Sequence, residues 1–206
     1  NNLKVVASTS QAAVQAACEA EATISLDLRF DPDGWQWQPG TDPRDLAEAT
    51  LRRLLPLVDV VITNETDAVW LLRLTARDDQ APIRVEESCD AAVRLAEQYS
   101  NLQYAVITLR EPGAESDRWG AMIYDVDGLL SHMAPVNARW EYVPYAVATA
   151  AGQRVNDAAF AAGLSYALST FGLDDPAVAI QYAVAASSLP LGACREDVEA
   201  QMRVTL

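Results

Sequence analysis

Residues 54–67 read LLPLVDVVITNETD, and this stretch decides the fold class. Its middle, 58–63, is a nearly continuous apolar run rich in β-branched residues, which is typical of a strand covered on both faces in a parallel sheet. Asn64 follows at once, and asparagine is a preferred helix N-cap. The spacing therefore predicts a helix over 65–74. A strand that runs straight into a helix is the repeating unit of an α/β fold.

The same alternation continues in both directions. Short β-type runs are predicted at 4–7, 23–28 and 102–109, and helices at 11–20, 85–99, 152–170, 176–188 and about 195–202. Asp42 before Pro43 predicts a helix start, with leucines 46, 51, 54 and 55 on its apolar face. The chain shows neither a repeat nor a linker. We therefore expect a single α/β domain over 1–206, with a mostly parallel sheet and helices on both faces.

One hairpin interrupts the alternation. Residues 119–125 and 129–134 are both β-type, and Asp127-Gly128 lies between them. An Asp-Gly pair between two such runs is a strong hairpin signal, because both residues tolerate a positive φ. We expect these two runs to pair antiparallel.

The charge balance excludes several classes of partner. The 206 residues include 15 Lys and Arg against 29 Asp and Glu, a formal charge of −14. Nucleic acids and anionic lipids require clustered basic residues, so neither is expected as a partner. No apolar run approaches the roughly 20 residues needed to span a bilayer. We expect a soluble protein of the cytoplasm or of an organelle interior.

Histidine and cysteine usage excludes further chemistry. Cys18, Cys89 and Cys194 form no Cys-x-x-Cys pair, and His132 is the single histidine, so a zinc site of the usual ligands is excluded. Nucleophilic catalysis would have to rest on His132 alone, and a structural histidine is the favoured interpretation. Three scattered cysteines indicate a reducing compartment.

Candidate ligand sites follow from where strands end. Ligands of open parallel sheets bind at the carboxyl ends of strands, near helix N-termini. The segments 27–33, 64–67, 108–113 and 149–157 satisfy that rule. The last one opens a long helix with small residues, where unpaired backbone N–H groups favour anions. Its alternative interpretation is an alanine-rich helix packed closely on the sheet.

In their order, four segments resemble the PfkB/ribokinase family of carbohydrate kinases. TISLD at 23–27 followed by Trp35 is similar to the strand that ends in the sugar-side loop. The stretch at 54–67 is similar to the Asn-x-x-Glu segment, and VITLREPGA at 106–114 to the Thr-Leu-Gly-x-x-Gly nucleotide loop. AFAAGL at 159–164 is similar to the helix after the Gly-Ala-Gly-Asp signature. The Trp35 loop and the LPLVD run favour the 2-keto-3-deoxygluconate kinase branch.

The resemblance implies a fold, a reaction and a set of site residues. The fold is a ribokinase-like three-layer sandwich, of which the family's C-terminal part is present. The reaction is transfer of the ATP γ-phosphoryl group, with Mg²⁺, to a hydroxyl of a sugar or sugar acid. The implied residues are Asp157 as the base; Thr108, Arg110, Gly113, Gly152 and Asn156 for the nucleotide and its anion hole; Asp27 and Arg29 on the substrate side; and Asn64 and Asp67, which would order Mg²⁺ through water.

Several positions depart from the family pattern. The catalytic acid normally lies two residues before the phenylalanine, where this chain has Ala158, and Asp157 lies one residue earlier. One residue turns a helical side chain by about 100°. Arg110 replaces a loop glycine, Asp67 replaces glutamate, Arg29 and Asp31 replace Asn and Arg, and Val184 replaces an asparagine near the adenine. We therefore expect impaired catalysis.

Three functions remain open at this point. The first is an active sugar or sugar-acid kinase. The second is a non-catalytic kinase-like subunit, an interaction module in a larger assembly. The third is an α/β metabolite-binding protein outside the family. The family's early strands and lid have no counterpart in this sequence, so the sheet is expected to have an open edge that a protein partner or oligomer covers.

Overall fold

The computed structural model describes residues 2–71, 85–113, 115–148, 153–171, 175–190 and 192–204. Their elements, in chain order, are α1 (Asn2–Glu19), β1 (Ser25–Asp27), α2 (Pro43–Leu54), a 3₁₀ turn (Leu55–Leu57), β2 (Val60–Asn64), α3 (Glu65–Leu71), α4 (Val85–Gln98), β3 (Tyr104–Glu111), β4 (Ser116–Asp125), β5 (Leu130–Ala134), β6 (Tyr145–Ala148), α5 (Gln153–Phe171), α6 (Pro176–Ser188) and α7 (Arg195–Val204).

The two predicted helix caps are confirmed. The Asp42 carboxylate accepts a hydrogen bond from the Arg44 N–H at 2.7 Å, with Pro43 opening α2. The Asn64 Oδ1 atom accepts from the Asp67 N–H at 2.8 Å at the start of α3. Each bond satisfies an N–H group that has no partner inside the helix.

Two predictions of elements differ from the structure. The β-type run at 4–7 is wrong, because these residues belong to α1. No glycine or proline separates them from the alanine-rich stretch that follows, so one helix continues through both. The short strand β6 was not predicted. It has four residues, too few for a period-two pattern to stand out.

The sheet is mixed, in the order β1-β2-β3-β4-β5, with β6 also paired to β4. The strands β1, β2 and β3 are parallel, and β4 is antiparallel to β3, β5 and β6. The predicted hairpin is confirmed by the pairing of β4 with β5. The strand β3 pairs with one edge of β4. The other edge of β4 pairs first with β6 and then with β5.

Side chains alternate between two apolar clusters, one on each face of the sheet. Val60, Ile62, Val106 and Trp119 belong to the first cluster, with α5, α6 and α7. Val61, Ile107 and Met122 belong to the second, with residues of α1, α3 and α4. This two-residue period is that of strands buried on both faces. The three-layer prediction is therefore confirmed.

The Trp35 and Trp37 side chains pack against each other, and neither is fully exposed to solvent. Their ring centroids are 5.0 Å apart at an interplanar angle of 38°, and Trp35 contacts the second cluster. Both rings are partly buried. The loop after β1 is thereby anchored on the core.

None of the described helices is long and apolar enough to cross a bilayer.

Candidate active site

The parallel strands end together at one side of the sheet. Asp27, the last residue of β1, is level with Ile62 of β2, and Asn64, the last residue of β2, is level with Thr108 of β3. Arg29 follows the end of β1, and α3 follows the end of β2. Arg110 lies two residues beyond Thr108, near the end of β3. This is the sheet edge at which α/β proteins bind ligands.

The register of α5 decides which acid faces this edge. Phe160 and Leu164 lie in the first cluster. Asp157 lies on the same side of α5, one turn nearer to the start of the helix. Asp157 is 6% exposed, whereas Ala158, the position of the family's acid, is exposed. The out-of-register acid is therefore the one turned inward.

Asp157 meets Arg29 in an ion pair. Arg29 Nη1 contacts Asp157 Oδ2, and Arg29 Nε lies 3.1 Å from Asp27 Oδ1. Burial raises the pKa of Asp157 above its usual value, while the positive charge of Arg29 opposes this rise. The structure thus brings together three of the residues predicted from the sequence: the acid and both substrate-side residues.

Asn64 and Asp67 bind each other and the loop after β1. The Asn64 amide nitrogen donates to Asp67 Oδ2 at 2.7 Å, and the Phe30 N–H donates to the same oxygen at 3.1 Å. Burial raises the pKa of Asp67. Both residues predicted for Mg²⁺ therefore make contacts within the chain. Among the described residues, no three His, Cys, Asp or Glu side chains are grouped so as to hold a metal ion.

Arg110 turns towards β4. Its Nε and Nη2 atoms lie 2.7 Å and 2.6 Å from Asp117 Oδ2, and its backbone N–H donates to Glu65 Oε1 at 3.2 Å. Hydrogen bonds from the guanidinium hold the pKa of Asp117 below its usual value. Burial raises the pKa of Glu65 to about 7.

The other residues of the predicted nucleotide loop have structural contacts. The Thr108 hydroxyl donates to the Thr63 carbonyl at 3.3 Å. The Gly113 N–H donates to Asp117 Oδ1 at 3.3 Å. A Cβ at Gly113 would overlap the Ser116 carbonyl oxygen, so the turn between β3 and β4 needs a glycine there.

Asn156 faces a different place from Asp157, its neighbour on α5. It is partly buried and lines a groove of about 300 Å³ between α5, α6 and the chain before α7. Gly163, Tyr166 and Tyr182 line the groove as well. Gly152 and the segment from Thr149 to it, predicted to form the anion hole, lie outside the described residues.

Glu65 and Asp117 were missed by the sequence analysis. Glu65 follows Asn64 directly, so its place at the carboxyl end of β2 was a usable signal. Asp117 lies two residues before Trp119, on the same face of β4 and level with Val147 of β6, and its contact with Arg110 depends on the pairing of β3 with β4. An isolated acid near a turn carries no local sign of that contact.

Neither the known protein-family profiles nor the curated protein sequences give a match to this chain. Solved structures do. A 2-dehydro-3-deoxygluconokinase from Thermotoga maritima superposes with a TM-score of 0.71 at 22% identity, over 94% of this chain and 54% of its own. A PfkB family carbohydrate kinase from Listeria grayi gives a TM-score of 0.70 at 15% identity, over 97% and 55%.

A fructokinase double mutant from Vibrio cholerae, in its fructose, ADP and potassium ion bound form, gives a TM-score of 0.62 at 21% identity, over 97% of this chain and 55% of its own. The chain thus spans about half the length of these kinases. At such identities the likeness concerns the fold. The chain has the ribokinase-like α/β fold that these PfkB carbohydrate kinases share.

Proposed function

We propose that this chain is a PfkB-type carbohydrate-kinase-like protein that transfers the γ-phosphoryl group of Mg·ATP to a hydroxyl of a sugar or sugar acid. One observation carries the proposal: a buried acid, Asp157, lies on the sheet-facing side of α5, paired with Arg29 beyond the end of β1. The fold of the neighbouring kinases supports it.

In the proposed reaction, Asp157 accepts the proton of the acceptor hydroxyl. The hydroxyl oxygen then forms a bond to the γ-phosphorus, and the bond from that phosphorus to the β–γ bridging oxygen breaks. ADP leaves with the electron pair, and Asp157 passes its proton to water. Burial raises the pKa of Asp157 above its usual value, which makes the carboxylate a stronger base than an exposed aspartate.

The substrates are assigned to two sides of α5. Asp27 and Arg29 would contact the sugar, since they adjoin Asp157. The groove at Asn156, lined by Gly163 and two tyrosines, is large enough for part of a nucleotide. Mg²⁺ would arrive with ATP, with Asn64 and Asp67 near its water shell.

We expect turnover to be slow. Arg110 occupies the position of a loop glycine, and its guanidinium is already held by Asp117. Asp67 already accepts two hydrogen bonds from within the chain. Both groups must exchange these partners before they can serve a phosphate or the water shell of a metal ion.

The first test is a calorimetric titration with Mg·ATP of the wild type and of Arg110→Gly, with thermal unfolding as the check on folding. Micromolar binding by the wild type supports the proposal. ADP release is then measured over a panel of neutral sugars and sugar acids.

Asp157→Asn should abolish that release, whereas Asp175→Asn should leave it unchanged, because Asp175 caps α6 and asparagine also caps helices. Equal turnover by Asp157→Asn and the wild type would overturn the assignment of the base. Absence of ATP binding by both the wild type and Arg110→Gly would overturn the kinase proposal.

A second candidate is a non-catalytic kinase-like subunit of a larger assembly. The internal pairing of Asp157 with Arg29 and of Asp67 with Asn64 and Phe30 favours it, because both carboxylates have partners within the chain. Native mass spectrometry of protein captured from its host checks this candidate. A monomeric protein that releases ADP at a steady rate would contradict this second candidate.

A further inference from the structure

Two departures from the kinase pattern meet in one contact. Arg29 stands where the resemblance has asparagine, and Asp157 stands one residue before the position of the family's acid. In the structure, Arg29 Nη1 contacts Asp157 Oδ2. These residues are distant in sequence and lie on different layers, so their contact relates two substitutions that look independent in the sequence.

Arg29 is also bound to Asp27, through its Nε atom. Its Nε atom lies 3.1 Å and 3.2 Å from the two carboxylate oxygens of Asp27. A guanidinium is planar, and its donors point in fixed directions. Fixing Nε on Asp27 therefore fixes the direction in which Nη1 and Nη2 point. Asp157 receives the first of these donors.

The remaining donor has no acceptor. Arg29 Nη2 is buried and makes no hydrogen bond within the part of the chain that the structure describes. A buried donor of a charged group left without a partner is costly, so such atoms usually indicate a ligand or water. This donor lies on the same guanidinium that touches Asp157. A substrate hydroxyl that accepted a hydrogen bond from Nη2 would therefore lie on the guanidinium that also holds Asp157.

We propose that Arg29 orients both partners of the proton transfer: Nη1 aims the Asp157 carboxylate, and Nη2 donates to the oxygen of the acceptor hydroxyl. The inference rests on the proposed function. In this arrangement Arg29 offsets the displacement of the acid by one residue, since the inward-turned Asp157 is the one that Arg29 reaches.

The first test needs no turnover. The pKa of Asp157 is measured by carboxyl NMR in the wild type, Arg29→Gln, Arg29→Lys and Arg52→Gln. Among the described residues, the charged groups that act on Asp157 are Arg29, Asp27 and Arg110. Arg29→Gln should raise the pKa of Asp157 by about one unit or more, because an opposite charge is lost. Arg29→Lys should largely prevent that rise.

Arg52→Gln is the matched control, because Arg52 pairs with Glu48 on α2. It should leave the pKa of Asp157 unchanged. An unchanged pKa of Asp157 in Arg29→Gln overturns the inference, whether or not the protein turns over ATP.

The second test separates charge from orientation. Arg29→Lys keeps one charge but lacks the second fixed donor. Its kcat should therefore fall at least tenfold, while the KM for ATP stays within twofold and the pKa of Asp157 stays close to its wild-type value. Full kcat in Arg29→Lys would overturn the contact between Nη2 and the hydroxyl. Absence of turnover by the wild type would count against the proposed function, and the NMR result would still decide whether Arg29 acts on Asp157.

Discussion

Arg110, which is partly buried, and Asp117, which is buried, form an ion pair at the turn between β3 and β4. Their side chains are 14% and 7% exposed, and two guanidinium nitrogens lie within 2.7 Å of one carboxylate oxygen. Removing one member of such a pair leaves the other charged and without its partner, which is more costly than removing both.

Arg110→Ala should therefore lower the free energy of unfolding by about 1–3 kcal/mol. Urea denaturation measures this loss. Asp117→Ala should cost a similar amount, and the double variant should lose less than the sum of the two. Arg118→Ala is the control, because the Arg118–Glu111 pair is exposed at 3.3 Å and its removal should cost less than about 1 kcal/mol. Additive losses in the double variant would contradict the pairing.

Glu65 should make stability depend on pH. Its pKa is about 7 in the folded chain and 4.5 as a free side chain. Between these values the unfolded chain has lost the proton that the folded chain retains, so the free energy of unfolding should fall as pH rises from about 4.5 to 7. The upper limit of this fall is about 3 kcal/mol.

Glu65→Gln should remove this part of the pH dependence and gain stability, relative to the wild type, above pH 7. Denaturation at a series of pH values measures both effects. The control is Glu97→Gln, at an exposed position of α4, because Glu97 is not among the groups that shift the pKa of Glu65. Parallel pH curves for the wild type and Glu65→Gln would show that Glu65 ionises normally.

The Trp119 indole donates a buried hydrogen bond to a side chain of α6. Its Nε1 atom donates to Ser187 Oγ at 2.7 Å, and its ring meets Phe160 of α5 edge to face. Ser187→Ala should cost about 1–3 kcal/mol, because the indole N–H is left buried without an acceptor. Thermal unfolding of Ser187→Ala beside Ser188→Ala measures the difference, since the Ser188 hydroxyl donates to the Ala185 carbonyl of its own helix. Equal melting temperatures would contradict this account.

Gly163 allows α5 and α6 to approach closely. A Cβ there would lie 3.1 Å from the Ala186 Cβ and 3.2 Å from the Ala183 Cα. Gly163→Val should therefore lower the free energy of unfolding by about 1–3 kcal/mol through overpacking. Ser165→Val, at an exposed position of the same helix, gives the cost of a β-branched residue alone. A loss in Gly163→Val no larger than in Ser165→Val would contradict the close packing.

Local chemistry predicted most of the fold. The β-branched runs of β2 and β3, the Asp127-Gly128 hairpin and the Asp42 and Asn64 caps depend on neighbouring residues and were confirmed. The run at 4–7 was wrong, because its apolar residues suit either a strand or a helix and only the continuous helix of α1 decides between them.

The site was predictable as residues but not as contacts. Asp27, Arg29 and Asp157 were named from the resemblance, but their meeting depends on which side of α5 turns towards the sheet. The burial of Phe160 and Leu164 settles that, and burial on a helix of small residues leaves a weak pattern in the sequence. The burial of Asp117 likewise arises from pairing between strands rather than from its neighbours.

The hydrogen bond from Phe30 to Asp67 has a mechanical consequence. Arg29 is tied to α5 on one face of the sheet, and the next residue, Phe30, is tied to α3 on the other. Two consecutive residues thus brace two layers whose apolar clusters share no side chain. A ligand that displaced Arg29 would therefore be expected to act on the Phe30–Asp67 hydrogen bond through a single peptide unit, so the loop after β1 links contacts on the two faces of the sheet.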